Sequence, residues 1–171
     1  MPSKVYVHYG DSFGTIGYSD KMLLLNDISN KSLNRGGQGW PKPIHGCFWG
    51  SPKRSPRSWK AFCQHNMDYP ESYWAQSMTF RVPINRISTI SDRISYLYYK
   101  SKYGSNDEYG TLDFDALRND GYFGVEILIS KWPPLYHLMY GWDCDSICIW
   151  DERAILPTKH QPQNIPGVLW Q

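Results

Sequence analysis

Residues 4–9, KVYVHY, alternate in side-chain character and carry β-branched and aromatic types, the period of a strand half-buried in a sheet. The period is then lost. Residues 10–43 hold many Gly, Ser and Asn around a short apolar run, Met22 to Leu25, and close on the turn-rich stretch NRGGQGWPKP at 34–43. A second strand is expected at about 45–50, HGCFWG. Ser55-Pro56 then has the form of an N-cap followed by a proline at the first helical position, with Trp59, Phe62 and Cys63 spaced as one buried helical face. Residues 77–82, SMTFRV, predict a strand. Ser91 predicts the cap of a helix buried through Ile94, Leu97 and Tyr98.

Farther along, 113–119 predicts a short helix stopped by Asn119-Asp120-Gly121. Strands are expected at 122–129, YFGVEILI, and 144–150, CDSICIW, flanking a proline-opened helical segment around 133–141. From residue 159 the chain is rich in Pro and Gln without a period, which predicts an irregular tail docked by Leu169 and Trp170, or else a disordered one. Strands and helices are interspersed without a strict βαβ repeat. That predicts a single α+β domain over 1–158, a mixed and mostly antiparallel sheet with peripheral helices, followed by an irregular tail at 159–171.

Composition agrees with a globular chain, at 41% hydrophobic and 20% charged residues. Its unusual feature is ring content: eight Trp and thirteen Tyr, side chains suited equally to cores, flat ligands and interfaces. A net charge of +2 does not by itself argue for nucleic acid. No stretch is apolar for long enough to span a bilayer and MPSKVYVHYG lacks a signal-peptide core, so a cytoplasmic protein without a membrane partner is expected. The four cysteines form no C-x-x-C pair and read as buried thiols. A zinc site from Cys63, His65, Cys144 and Cys148 can be drawn, but its spacing follows no usual pattern, and no metal is expected.

Several chemistries drop out by motif. Gly36-Gly37-x-Gly39 follows no strand and is succeeded by Trp40-Pro41 where a phosphate-binding helix would open. Neither G-x-S-x-G nor H-E-x-x-H occurs. What remains is a set distributed along the chain: His8-Tyr9-Gly10 closing the first strand, Gly46-Cys47-Phe48-Trp49-Gly50-Ser51-Pro52, Trp59, Gly121-Tyr122-Phe123-Gly124-Val125-Glu126, and Trp142-Asp143-Cys144-Asp145-Ser146 leading to Asp151 and Arg153-Ala154-Ile155.

In this order, over residues 8–155, those elements resemble the ADP-ribosyltransferase superfamily, nearest to its small bacterial and phage members. The resemblance implies an ADP-ribosyltransferase-like fold that binds NAD. It further implies transfer of ADP-ribose to a protein or nucleic-acid acceptor, in a toxin, defence or phage counter-defence setting. It also implies roles. His8 would bond a ribose hydroxyl, the backbone at Gly10 the carboxamide, and Tyr9, Phe48 or Trp49 would stack on nicotinamide. Ser51 closes the second-strand motif, and Arg54, within the Lys53, Arg54, Arg57, Lys60 cluster, would grip the pyrophosphate. Asp145 stands where the family carries a glutamate, with Asp143 and Glu126 as competitors, and Phe48-Trp49 replace an expected tyrosine.

Chemistry gives these residue types their sense. As the C1′–N bond of NAD breaks, a carboxylate facing the ribose stabilises the oxocarbenium that develops. Each residue also has a structural reading. His8 can serve as a rim histidine, Trp49, Trp59 and Trp142 as core, and Asp143 and Asp145 as a solvated strand edge. The basic cluster can serve as a solvated helix face, or as a grip on single-stranded nucleic acid in a non-catalytic binding module. Glu126, inside an apolar strand, needs a partner, for which Arg81 and Arg93 are the expected cations.

Overall fold

The computed structural model describes residues 2–10, 33, 43, 47–66, 68–74, 76–105, 112–139 and 141–156. The predicted runs at 10–32, 34–42 and 159–171, Leu169 and Trp170 included, lie outside these residues apart from Gly10.

The alternating N-terminal run forms β1, Ser3–Gly10, which pairs antiparallel along its whole length with β3, Gln76–Pro83. Its other edge takes β2, Phe48–Pro52, through Tyr6↔Pro52 and Val7↔Ser51. β2 pairs with β6, Ser146–Ile149, and β6 with β5, Gly124–Ile127, both antiparallel. β4, Ile87–Ile90, joins β5 in parallel. The result is one six-stranded mixed sheet of order β3-β1-β2-β6-β5-β4 in an α+β chain. The single parallel pair requires a crossover. That crossover carries α2, Arg93–Tyr103, and α3, Phe114–Asn119.

One face of the sheet, through Ile90, Val125, Ile127 and Cys148, packs against these helices and α4, Leu135–Leu138. Phe114, Leu117, Leu135, Met139 and Trp142 complete this layer, each almost wholly buried. The opposite face gathers Tyr6, Phe48, Phe80, Val82, Ile147 and Ile149 with Ala154 and Ile155.

The sheet is curled about this second face. Tyr6 on β1 reaches Glu126 on β5, with β2 and β6 between them. In a flat sheet those strands would stand roughly 14 Å apart, farther than the two side chains span. Gly50 makes room for the bend. A Cβ at that position would lie 2.6 Å from the Phe80 ring, so the ring fills the space that a side chain would take.

Several expectations are corrected. The first helix, α1, spans Trp59–His65 and is capped by Ser58, whose hydroxyl accepts from Ala61 N–H; Ser55 is drawn elsewhere by its own hydroxyl bond. Of its expected buried face only Cys63 is buried. α2 is capped by Asp92 in a reciprocal box with Ser95, one residue beyond Ser91. The rotation of α2 is also reversed. Ile94 is 82% exposed and Leu97 and Tyr98 about half, while Tyr96, Tyr99 and Tyr103 face the core. Of the second strand's expected span, 45–50, residues 45 and 46 lie outside the described residues and Cys47 precedes β2, while the last two strands are trimmed to 124–127 and 146–149. No helix among the described residues is long and apolar enough to cross a membrane.

Candidate functional site

Curling brings the start of β1, the end of β2, the end of β5 and the approach to β6 around one open cavity of about 620 Å³. That is within the usual range for small-molecule sites. Half of its twelve lining residues are ionisable. Lys4 contributes from β1, Lys53, Arg54 and Ser55 from the turn after β2, and Ser130 and Lys131 from the turn after β5. Glu126 and Asp145 form its acidic wall.

Glu126, 1% exposed, is satisfied from three sides. Lys4 Nζ donates to Oε2 at 2.7 Å, the Tyr6 hydroxyl to Oε1 at 2.8 Å, and Thr89 Oγ1 to Oε2 at 3.1 Å. A buried carboxylate demands such donors. The demand was legible; the partners were not, because Arg81 and Arg93 give way to Lys4, more than a hundred residues distant in sequence. Burial first, and the Glu126 charge second, push the Tyr6 hydroxyl far above the ordinary tyrosine range, so it acts only as a donor here.

Asp145, 2% exposed, is held by no cation among the described residues. Ser55 Oγ donates to Oδ2 at 2.6 Å, Ser130 Oγ donates to the same oxygen, and Ser130 N–H donates to Oδ1 at 2.8 Å. Its own N–H donates to the Arg57 carbonyl at 2.8 Å. Asp145 therefore ties the 52–57 turn to the 128–131 turn, which a solvated strand edge would not do. Asp143 stands apart, half-buried; after burial itself, its charge is the next cause pushing the Tyr69 hydroxyl up.

Of the residues singled out by sequence for a site, Asp145, Glu126, Arg54 and its cluster neighbour Lys53 meet at this cavity. The others lie farther along β1 and β2. His8 stacks on Phe48, with ring centroids 4.6 Å apart, and its Nδ1 lies 2.6 Å from the Trp49 carbonyl. A carbonyl can only accept, so Nδ1 carries the proton. By strand alternation His8 shares a face with Lys4 and Tyr6. The β1–β2 register, continued by one residue, places His8 opposite Gly50, in one cross-sheet row with Ile147 and Glu126.

Tyr9 is half-buried, with burial pushing its hydroxyl pKa up, and Gly10 ends β1 opposite Gln76. Trp49 lies against the core residue Trp142, and buried Ser51 accepts the Trp59 N–H at 2.8 Å. Lys4, Tyr6, Thr89, Ser130 and Lys131 carried no site signal in the sequence, and Ser55 carried only that of a helix cap. Among the described residues no group of three His, Cys, Asp or Glu is placed to hold a metal, so Cys63, His65, Cys144 and Cys148 do not assemble into one.

Comparison with protein-family models, with curated proteins and with solved structures finds no match to this chain.

Proposed function

We propose that this chain is an ADP-ribosyltransferase: it binds NAD at the cavity between β1 and the turn after β2, and transfers ADP-ribose to a protein or nucleic-acid acceptor. The observation that carries the reading is the pairing, in one cavity, of a buried carboxylate held by neutral donors, Asp145, with Lys53, Arg54 and Lys131. The cations suit a pyrophosphate. The carboxylate suits the positive charge that develops on the ribose.

In this reaction the C1′–N bond breaks and its electron pair leaves with neutral nicotinamide. The acceptor's nucleophilic atom bonds to C1′ and gives up its proton. Asp145 is the better electrostatic partner of the two carboxylates, because Lys4 already balances Glu126. The ordered sequence resemblance over residues 8–155 supports the same reading.

One observation favours a second reading, a non-catalytic binding module on the same scaffold. Three hydrogen bonds already engage Asp145 in tying two turns together. Mass spectrometry separates the two. Incubation with NAD and cell extract is expected to release nicotinamide and add one ADP-ribose unit to a macromolecule. Absence of both, in a sample whose melting temperature rises with NAD, leaves the binding module. Absence of both without that rise removes NAD altogether.

A further inference from the structure

The turn after β2 and helix α1 carry Lys53, Arg54, Arg57 and Lys60, all exposed, and no carboxylate occurs between Lys53 and Asn66. Among the described residues none of the four makes an ion pair. Beside them lies a group of rings outside both core layers. Trp59 stacks on Phe62 with centroids 5.5 Å apart, Tyr69 meets both edge-on at 5.6 Å, and Tyr73, 43% exposed, lies 5.9 Å from Tyr69. Lys60 Nζ sits 5.3 Å above the Trp74 ring, and the Trp59 indole N–H donates to the Tyr73 carbonyl at 3.3 Å. That bond fastens the helix to the 3-10 turn Glu71–Tyr73 and holds the rings in one place.

We infer that this strip of cations and surface rings is a docking surface for single-stranded nucleic acid. Phosphates take the four side-chain charges while unpaired bases stack on the rings. Duplex offers the phosphates but hides the base faces, and an acidic protein segment uses the charges but leaves the rings idle. Lys53 and Arg54 belong both to the strip and to the cavity mouth, so a strand on the strip runs toward the cavity. That the strand is also the ADP-ribose acceptor rests on the transferase reading; the docking surface itself does not.

The test uses the full chain without NAD and fluorescein-labelled oligothymidylate and oligouridylate of about 12 nucleotides, followed by anisotropy between about 50 and 200 mM salt. Four phosphate contacts to a single strand give a log–log salt slope of about −3. The double variant Arg57→Glu/Lys60→Glu is expected to bind at least about tenfold more weakly, with a slope shallower by about 1.4. Tyr73→Ala is expected to cost about tenfold with the slope unchanged. These side chains line no part of the cavity, so the NAD-dependent melting shift stays as it was.

No binding at the lowest salt by a folded sample overturns the proposal. So does equal affinity for a duplex hairpin, equal affinity for polyglutamate, or indifference to the double charge reversal. Absence of oligonucleotide binding by the wild-type chain, beside an intact NAD shift, overturns this inference alone. Oligonucleotide binding without any NAD shift keeps the surface and removes the transferase.

Discussion

Glu126 is held by Lys4, Tyr6 and Thr89, and Asp145 by Ser55 and Ser130, so in one cavity one carboxylate faces a cation and the other faces only neutral donors. Both are buried and fully bonded, yet they leave different fields in the cavity. The Lys4–Glu126 pair is close to neutral from a distance, and its cost of burial is offset locally. Asp145 projects its charge, because hydroxyls and an amide orient toward it without cancelling it. Depth of burial alone would have ranked the two residues equally as catalytic candidates. The sign of the nearest partner separates them.

The largest effect that can break this comparison is kinetic. On the proposed transferase reaction, Asp145→Asn keeps the shape and is expected to lower the rate by about 10²–10³-fold, mostly in kcat, whereas Glu126→Gln costs less than about tenfold. Steady-state nicotinamide release, with melting curves beside it, reads both. The opposite order would move the electrostatic role to Glu126.

Stability reverses the ranking. Glu126→Ala strands the buried Tyr6 hydroxyl and is expected to cost about 3 kcal/mol in urea denaturation. Asp145→Ala is expected to cost about 2 kcal/mol, since water can replace part of the cradle at half-buried Ser55 and Ser130. Tyr6→Phe removes a single charge-assisted bond, about 1.5 kcal/mol. Its effect also depends on pH in a defined direction. Folding raises the Tyr6 pKa above the ordinary 10.0, so the hydroxyl's contribution is whole below that pH and is lost as pH rises beyond it. The gap between wild type and Tyr6→Phe should therefore narrow only in alkali. Smallest of all is Lys4→Met, about 1 kcal/mol: it takes the cation from a buried carboxylate, but Tyr6 and Thr89 still donate to Glu126 and the Lys4 side chain is 43% exposed, which screens the attraction.

Much of the framework was legible because it is local. β1 and β3 follow directly from alternation, and α3 from Asp113 and the stop at Gly121, which adopts a positive φ of 83°. What failed was decided by contacts across the chain. Ser55 has the composition of a cap, but Asp145, ninety residues away, takes its hydroxyl and the helix begins one turn later. On α2 the chain offers two apolar stripes, one aliphatic and one of tyrosines, and periodicity cannot choose between them. The tyrosines win where Tyr103 donates to Asp120 and stacks with Tyr99. At the site, the odd carboxylate inside a strand announced itself. The two serines that cradle Asp145 did not, since a lone serine in a turn carries no mark of its partner.

The strand order also sets a timetable for synthesis. β1, β2 and β3 pair among themselves within the first half of the chain, but the outer edge of β2 waits for β6, roughly ninety residues later. At about 5–20 residues per second the nascent three-stranded piece exposes that edge for several seconds. An unpaired strand edge is a template for another chain. Ribosome-bound chains halted before β6 should therefore recruit chaperones and aggregate on release, while chains released just past it should close the sheet and stay in solution.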